Sequence, residues 1–282
     1  MLGGFRLGFS IALVLACSAC ASFGQSPHGR AAKSEAIWSG VSGGYRWQWT
    51  TMDLSAARAA GGKAVFSARA FERRTSQQLK DQQIDPVDSY VECSIAPLSV
   101  VGSIASYERD YYWEGGAHPS GSTDYVCVDA SRPGRQLSLT DLFPDAVIVR
   151  ALLADKIVAD ILKREHVTEM PRTTAQLVGA LKGKTFGGDE NYKFGFAADM
   201  LSRFAFHHVE GDRVAVRLNV SWGTEIYRFT TTQIGLLLPI PARLRSPLQL
   251  AADRRQGFLM ADSKKLARGK STRLFQYGKA PK

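Results

Sequence analysis

The residues from Ser89 to Ser131 constrain the fold more than any other part of the chain. "SYVECSIAPL" and "SVVGSIASYERDYYW" are dominated by β-branched and aromatic residues, the composition of strands. "GGAHPSGST" has the composition of a turn, "DYVCVDAS" returns as a strand, and "RPGRQ" turns again. Strands that follow one another through turns, rather than alternating with helices, point to an antiparallel sheet.

The flanking segments agree. "YRWQWTTMDLSA" (Tyr45 to Ala56) alternates large apolar and polar residues and reads as one strand. "RFAFHHVEGDRVAVRLNV" reads as a hairpin around Glu210-Gly211-Asp212, and "EIYRFTTTQIGLLLPI" as one or two further strands. Two helices interrupt the pattern. "KAVFSARAFERRTSQQLKDQQ" (63–83) lacks Gly and Pro and spaces Val65, Ala68 and Phe71 helically. "VIVRALLADKIVADILKREH" (147–166) carries Ile148, Leu152, Ile157 and Ile161 on one face, with Asp155, Lys156, Asp160 and Lys163 on the other. "TTAQLVGALK" adds a short helix. The fold class is α+β: an antiparallel sheet with one long and one or two shorter helices packed on it. No G-x-G-x-x-G or internal repeat is present.

The ends carry separate signals. "LGFSIALVLA" (Leu7 to Ala16) is an apolar segment of secretory-signal length, too short to span a bilayer as a helix. It runs into Val14-Leu15-Ala16-Cys17, which fits a bacterial lipobox with Cys17 as the lipidated residue and Cys20 as the alternative. Cleavage after Ala21, leaving a soluble periplasmic protein, is the competing reading. Residues 1–21 are thus expected to be a lipoprotein signal, 22–40 a tether, 41–250 one domain and 251–282 a flexible tail. Ser18 rather than an aspartate after the lipidated cysteine points to the outer membrane of a two-membrane bacterium, facing the periplasm. The formal charge is +10, and nine basic residues against one acid follow Asp253. That tail suits an anionic envelope polymer or head group. Export argues against nucleic acid. It also leaves Cys93 and Cys127 in an oxidising compartment, where they are expected to pair as a disulfide.

"YYWEGGAHPSGSTDYVCVDASRPGRQLSLTDLF" resembles the core motif of the domain-of-unknown-function 3298 family, the extracellular domain related to lysozyme-sensing anti-sigma factors and to an accessory domain of some peptidoglycan deacetylases. Gly115, Gly116, Ala117 and His118 match its first part, and Leu137, Leu139, Asp141, Leu142 and Phe143 its second. The resemblance covers roughly residues 90–248. It implies a sensor or binding ectodomain. The anti-sigma and deacetylase roles are not expected to transfer, because neither a preceding sigma-binding segment nor a following deacetylase domain is seen in the sequence.

The binding candidates are Tyr112, Trp113, Glu114, Gly115, Gly116 and His118. His118 beside Glu114 could act as ligand or base, or could only serve a turn that the two glycines shape. His207 and His208 are expected on opposite faces of their strand and so not on one metal. Tyr45, Trp47, Trp49, Tyr107, Tyr111, Tyr112 and Trp113 form either an exposed platform or alternating core residues. No catalytic residue, metal or cofactor is assigned. The expectation is a non-enzymatic envelope domain that binds peptidoglycan or a lysozyme-like protein, with a hydrolase of envelope glycan (deacetylase or esterase) as the alternative.

Overall fold

Strands β5 (Tyr90–Val101), β6 (Ile104–Glu114) and β7 (Ser120–Asp129) form the middle sheet of the computed structural model, which describes residues 36–58, 61–81, 90–114, 120–184, 194–223 and 233–266. The pairing is antiparallel throughout, in the order β5-β6-β7. The chain is α+β, as its pattern of strand runs implies, but it has four antiparallel sheets among the described residues rather than one.

Alternate residues of the middle sheet serve two cores. Ile95, Val100, Ala105, Tyr107 and Val126 face a meander of β1 (Ala36–Ser42), β2 (Tyr45–Thr50), β3 (Asp53–Arg58) and β4 (Gly61–Ser67). Tyr45, Trp47 and Trp49 take every second place in β2 and are all buried there, so the platform reading fails for them and for Tyr107. "YRWQWTTMDLSA" is two strands, not one. The Thr50 hydroxyl accepts hydrogen bonds from the backbone N–H of Met52 (3.2 Å) and Asp53 (2.9 Å), which turns the chain back. The helix expected over 63–83 begins later, at α1 (Ala68–Asp81). Residues before it pair with β3, which partly buries Phe66 opposite Leu54.

The other face of the middle sheet presents Val101, Ile104 and Cys127 to the larger core. That core holds α2 (Asp145–Leu153), α3 (Lys156–Arg164), α4 (Thr174–Leu181), α5 (Ala242–Ala252) and a sheet of β9 (Phe204–Glu210), β10 (Arg213–Asn219) and β12 (Gln233–Pro239), ordered β12-β10-β9. β8 (Phe194–Phe196) pairs with β11 (Ser221–Gly223) beside it. The single helix expected over 147–166 is broken at Asp155. Its carboxylate accepts from the N–H of Ile157 (2.9 Å) and Val158 (3.2 Å) and so caps a new helix. The apolar stripe survives the break only in part: Ile148, Leu152 and Ile161 are buried, Ile157 is half-buried, and Val158 and Leu162 fill the core in α3. The longest described helix is therefore α1, with 14 residues.

The ordered elements also overrun both expected domain limits. β1 starts at Ala36, inside the supposed tether. Past residue 250 come Phe258, buried and bridged to Val100 by reciprocal backbone hydrogen bonds, and α6 (Met260–Leu266). Phe258 packs edge-on against Trp38 with ring centroids 4.9 Å apart. Its approach depends on Gly257, whose φ is +80° and where a Cβ would overlap the Val100 carbonyl. Gly43, in the β1–β2 turn at φ +59°, sits equally close to the backbone of Gly102 in the β5–β6 turn.

Candidate functional site

The outer half of β6 positions the residues of interest. Tyr112 and Trp113 are both half-buried and, as neighbours on a strand, point to opposite faces. Glu114 ends the strand opposite Tyr90. Gly115, Gly116 and His118 lie outside the described residues, as does the Glu114 side chain.

On the face that carries Tyr112, the register places Glu92 directly opposite it and Ser94 opposite Asp110. Glu92 and Ser94 are exposed, and Asp110 is half-buried. Deeper along the same face Glu108 is buried. Thr123, also buried, donates its hydroxyl proton to Asp110, and its carbonyl accepts from Asn219 Nδ2 at 3.0 Å. Tyr125 accepts from Gln233 Nε2 at 2.6 Å. One sheet face thus aligns a phenol, hydroxyls and carboxylates at strand spacing. Such groups can accept hydrogen bonds from sugar hydroxyls or from cationic side chains.

The opposite face is held by charge and stacking. Arg109 lies over the Phe71 ring of α1, 4.7 Å from its centroid, and Tyr111 packs on the same ring at 5.6 Å. Arg109 also pairs with Asp124 (3.0 Å), which takes Arg203 on its second oxygen (3.0 Å); Arg203 reaches on to Asp199 (2.8 Å). Glu72 of α1 accepts from the Cys93 N–H at 2.9 Å. This clamp ties α1, β6, β7 and the segment before β9 together. Sequence reasoning missed it. Arg109 and Asp124 become partners only once the hairpin register is fixed, and Arg203 is remote in sequence.

The Cys93–Cys127 disulfide does not form: both are free, buried thiols. They stand on the two outer strands of the sheet, and their β6 partners, Tyr111 and Ser106, are five residues apart. Two strand spacings and five residues along a strand put the Cα atoms roughly 19 Å apart, against the less than about 7 Å a bridge needs. They also serve different faces, Cys127 facing the larger core and accepting a hydrogen bond from the Ser106 hydroxyl at 3.4 Å. Burial pushes both thiols up to about 12, so neither is a ready nucleophile at neutral pH.

His207 and His208 correct a second expectation. A β-bulge in β9 places both opposite the single residue Ala215, between Phe206 (opposite Val216) and Val209 (opposite Val214). Phe206 and Val209 both turn to the core, so the two histidines between them leave on the same side. Their Nδ1 atoms are 2.7 Å apart. No group of three or more His, Cys, Asp or Glu side chains among the described residues is arranged around a common metal position.

The second motif has a structural account. Leu137, Leu139, Leu142 and Phe143 are buried in the larger core, and the Asp141 carboxylate accepts from the Ser138 N–H (2.9 Å), closing a one-turn 3-10 helix over Leu139–Asp141. No family model matches the chain and no curated protein matches it closely, so the family resemblance rests on the quoted motifs alone.

Proposed function

We propose that the protein is an exported, lipid-anchored envelope protein, attached through Cys17, whose α+β domain binds a cell-wall component or a lysozyme-like protein without chemistry. The observation that carries this reading is the strip of Tyr112, Asp110, Glu92 and Ser94, aligned on one face of the middle sheet at the end that leads into residues 115–119. An aromatic ring flanked by carboxylates and a hydroxyl matches the stacking and hydrogen bonding a glycan offers, and it matches the basic surface of a lysozyme equally. Leu137, Leu139, Leu142 and Phe143 of the second motif are packed in the core, so the partner is assigned to the first motif's end of the sheet. The basic residues beyond Leu266 suit an anionic envelope polymer.

The test is sedimentation of the purified full chain with insoluble peptidoglycan, alongside titration with a soluble lysozyme. Wild type is expected to bind one of the two. The double variant Tyr112→Ala/Asp110→Asn is expected to lose at least tenfold in affinity while keeping its circular dichroism spectrum. Failure of wild type to bind either partner overturns the proposal.

A further inference from the structure

The bulge at His207 and His208 supplies a feature that the binding strip does not use. Both side chains are half-exposed, and their rings cross at 78° with centroids 5.0 Å apart. The Nδ1···Nδ1 distance of 2.7 Å means that in the metal-free pair one ring carries its proton on Nδ1 and donates it to the lone pair of the other.

We propose that His207 and His208 form a two-nitrogen chelate, through both Nδ1 atoms, for a divalent ion of tetragonal preference, Cu(II) or Ni(II), with water or an external ligand in the remaining positions. The bite sets the preference. With metal–nitrogen bonds of about 2.05 Å, nitrogens 2.7 Å apart subtend about 80° at the ion. That suits the near-90° cis positions of a tetragonal site. A tetrahedral zinc site needs its nitrogens roughly 3.3 Å apart at the same bond length. The proton balance is internal: the donating ring moves its proton from Nδ1 to Nε2 through solvent, and both Nδ1 lone pairs then face the ion with no net release.

The surroundings fit this role. Glu210 Oε2 lies 3.9 Å from His208 Nε2, on the side away from the chelating nitrogen. A carboxylate there steadies the Nε2–H form that coordination requires. The bulge fixes the two imidazoles on one side by backbone pairing, so little ordering remains to be done when the ion binds.

The experiment titrates the purified full chain with Cu(II) and, separately, Zn(II) by calorimetry, then repeats it with His207→Gln, His208→Gln and the control His166→Gln. The expected result is a Cu(II) site at least tenfold tighter than any Zn(II) site. Each of the first two variants should weaken it at least tenfold, and His166→Gln should leave it unchanged. Equal Cu(II) binding by wild type and both variants overturns the proposal. If a variant misfolds, electron paramagnetic resonance of wild type with one equivalent of Cu(II) decides. Coupling to two imidazole nitrogens, lost after histidine modification with diethyl pyrocarbonate, supports the chelate; coupling to one nitrogen or none refutes it.

Discussion

Phe258 offers the sharpest test of the architecture, because the composition around it reads as a solvated basic tail while the fold buries it. It is 2% exposed, it meets Trp38 edge-on at 4.9 Å and Trp49 at 6.4 Å, and it closes the core between the β1–β4 meander and the middle sheet. Phe258→Ala removes a ring whose truncation in a packed core costs about 3–5 kcal/mol. That is a large share of the roughly 5–15 kcal/mol that holds a domain together. In urea, with a slope of about 3 kcal/mol per molar for a chain this size, the midpoint should fall by about 1–1.7 M. Tryptophan fluorescence follows the transition, since Trp47 and Trp49 share this core. Phe258→Leu keeps much of the volume and should lose less than half as much. A midpoint shift below about 0.2 M for Phe258→Ala would refute the reasoning, since it would place residue 258 outside the cooperative unit.

Two further outcomes follow from the middle sheet. An unfolded thiol titrates near 8.5, whereas burial holds Cys93 and Cys127 up to about 12. The stability they contribute is therefore complete below about pH 8 and declines as pH rises from about 8.5 toward 12. The urea midpoint should fall across that range in wild type and fall less steeply in Cys93→Ala/Cys127→Ala; identical slopes would contradict the burial argument. Asp124→Asn takes the carboxylate from Arg109 and leaves Arg203 with Asp199 alone; the two arginine side chains are 23% and 16% exposed. Because solvent reaches them in part, the loss should be about 2–3 kcal/mol rather than the full 3–5 of a wholly buried pair, and a midpoint within error of wild type would show that the clamp does nothing for stability.

Much of the fold was legible wherever period and turn chemistry agree. The β9–β10 hairpin around Gly211 and the β5–β6–β7 meander both follow from alternating apolar residues bounded by turn residues. Where the reading failed, a local polar group or a long-range pairing decided the outcome. Asp155 reads as one more charge on a helical face, yet its carboxylate caps α3 and ends α2. Thr50 reads as a strand residue, yet its hydroxyl turns the chain. Val65 has helical spacing to Ala68 and Phe71 but lies in β4, which pairs with β3. The candidate site was only half visible. Tyr112 could be placed at a strand end, but its alignment with Glu92 and Asp110 needs the register. The histidine pair was misjudged because strict alternation hides a bulge, which inserts one residue and turns two consecutive side chains to the same side.

The close approach of Gly43 to Gly102, and of Gly257 to Val100, bears on how relatives of this chain should be read. Gly43 is exposed, in a surface turn, and the ordinary expectation for such a position is free sequence drift. Here any side chain would meet backbone, in a φ region that other residues avoid. Selection on packing alone would hold both positions as glycine across diverging copies. An invariant glycine at either place would thus record a meeting of main chains, and it should be set aside before invariance at Gly115 and Gly116 is taken as the mark of a bound partner.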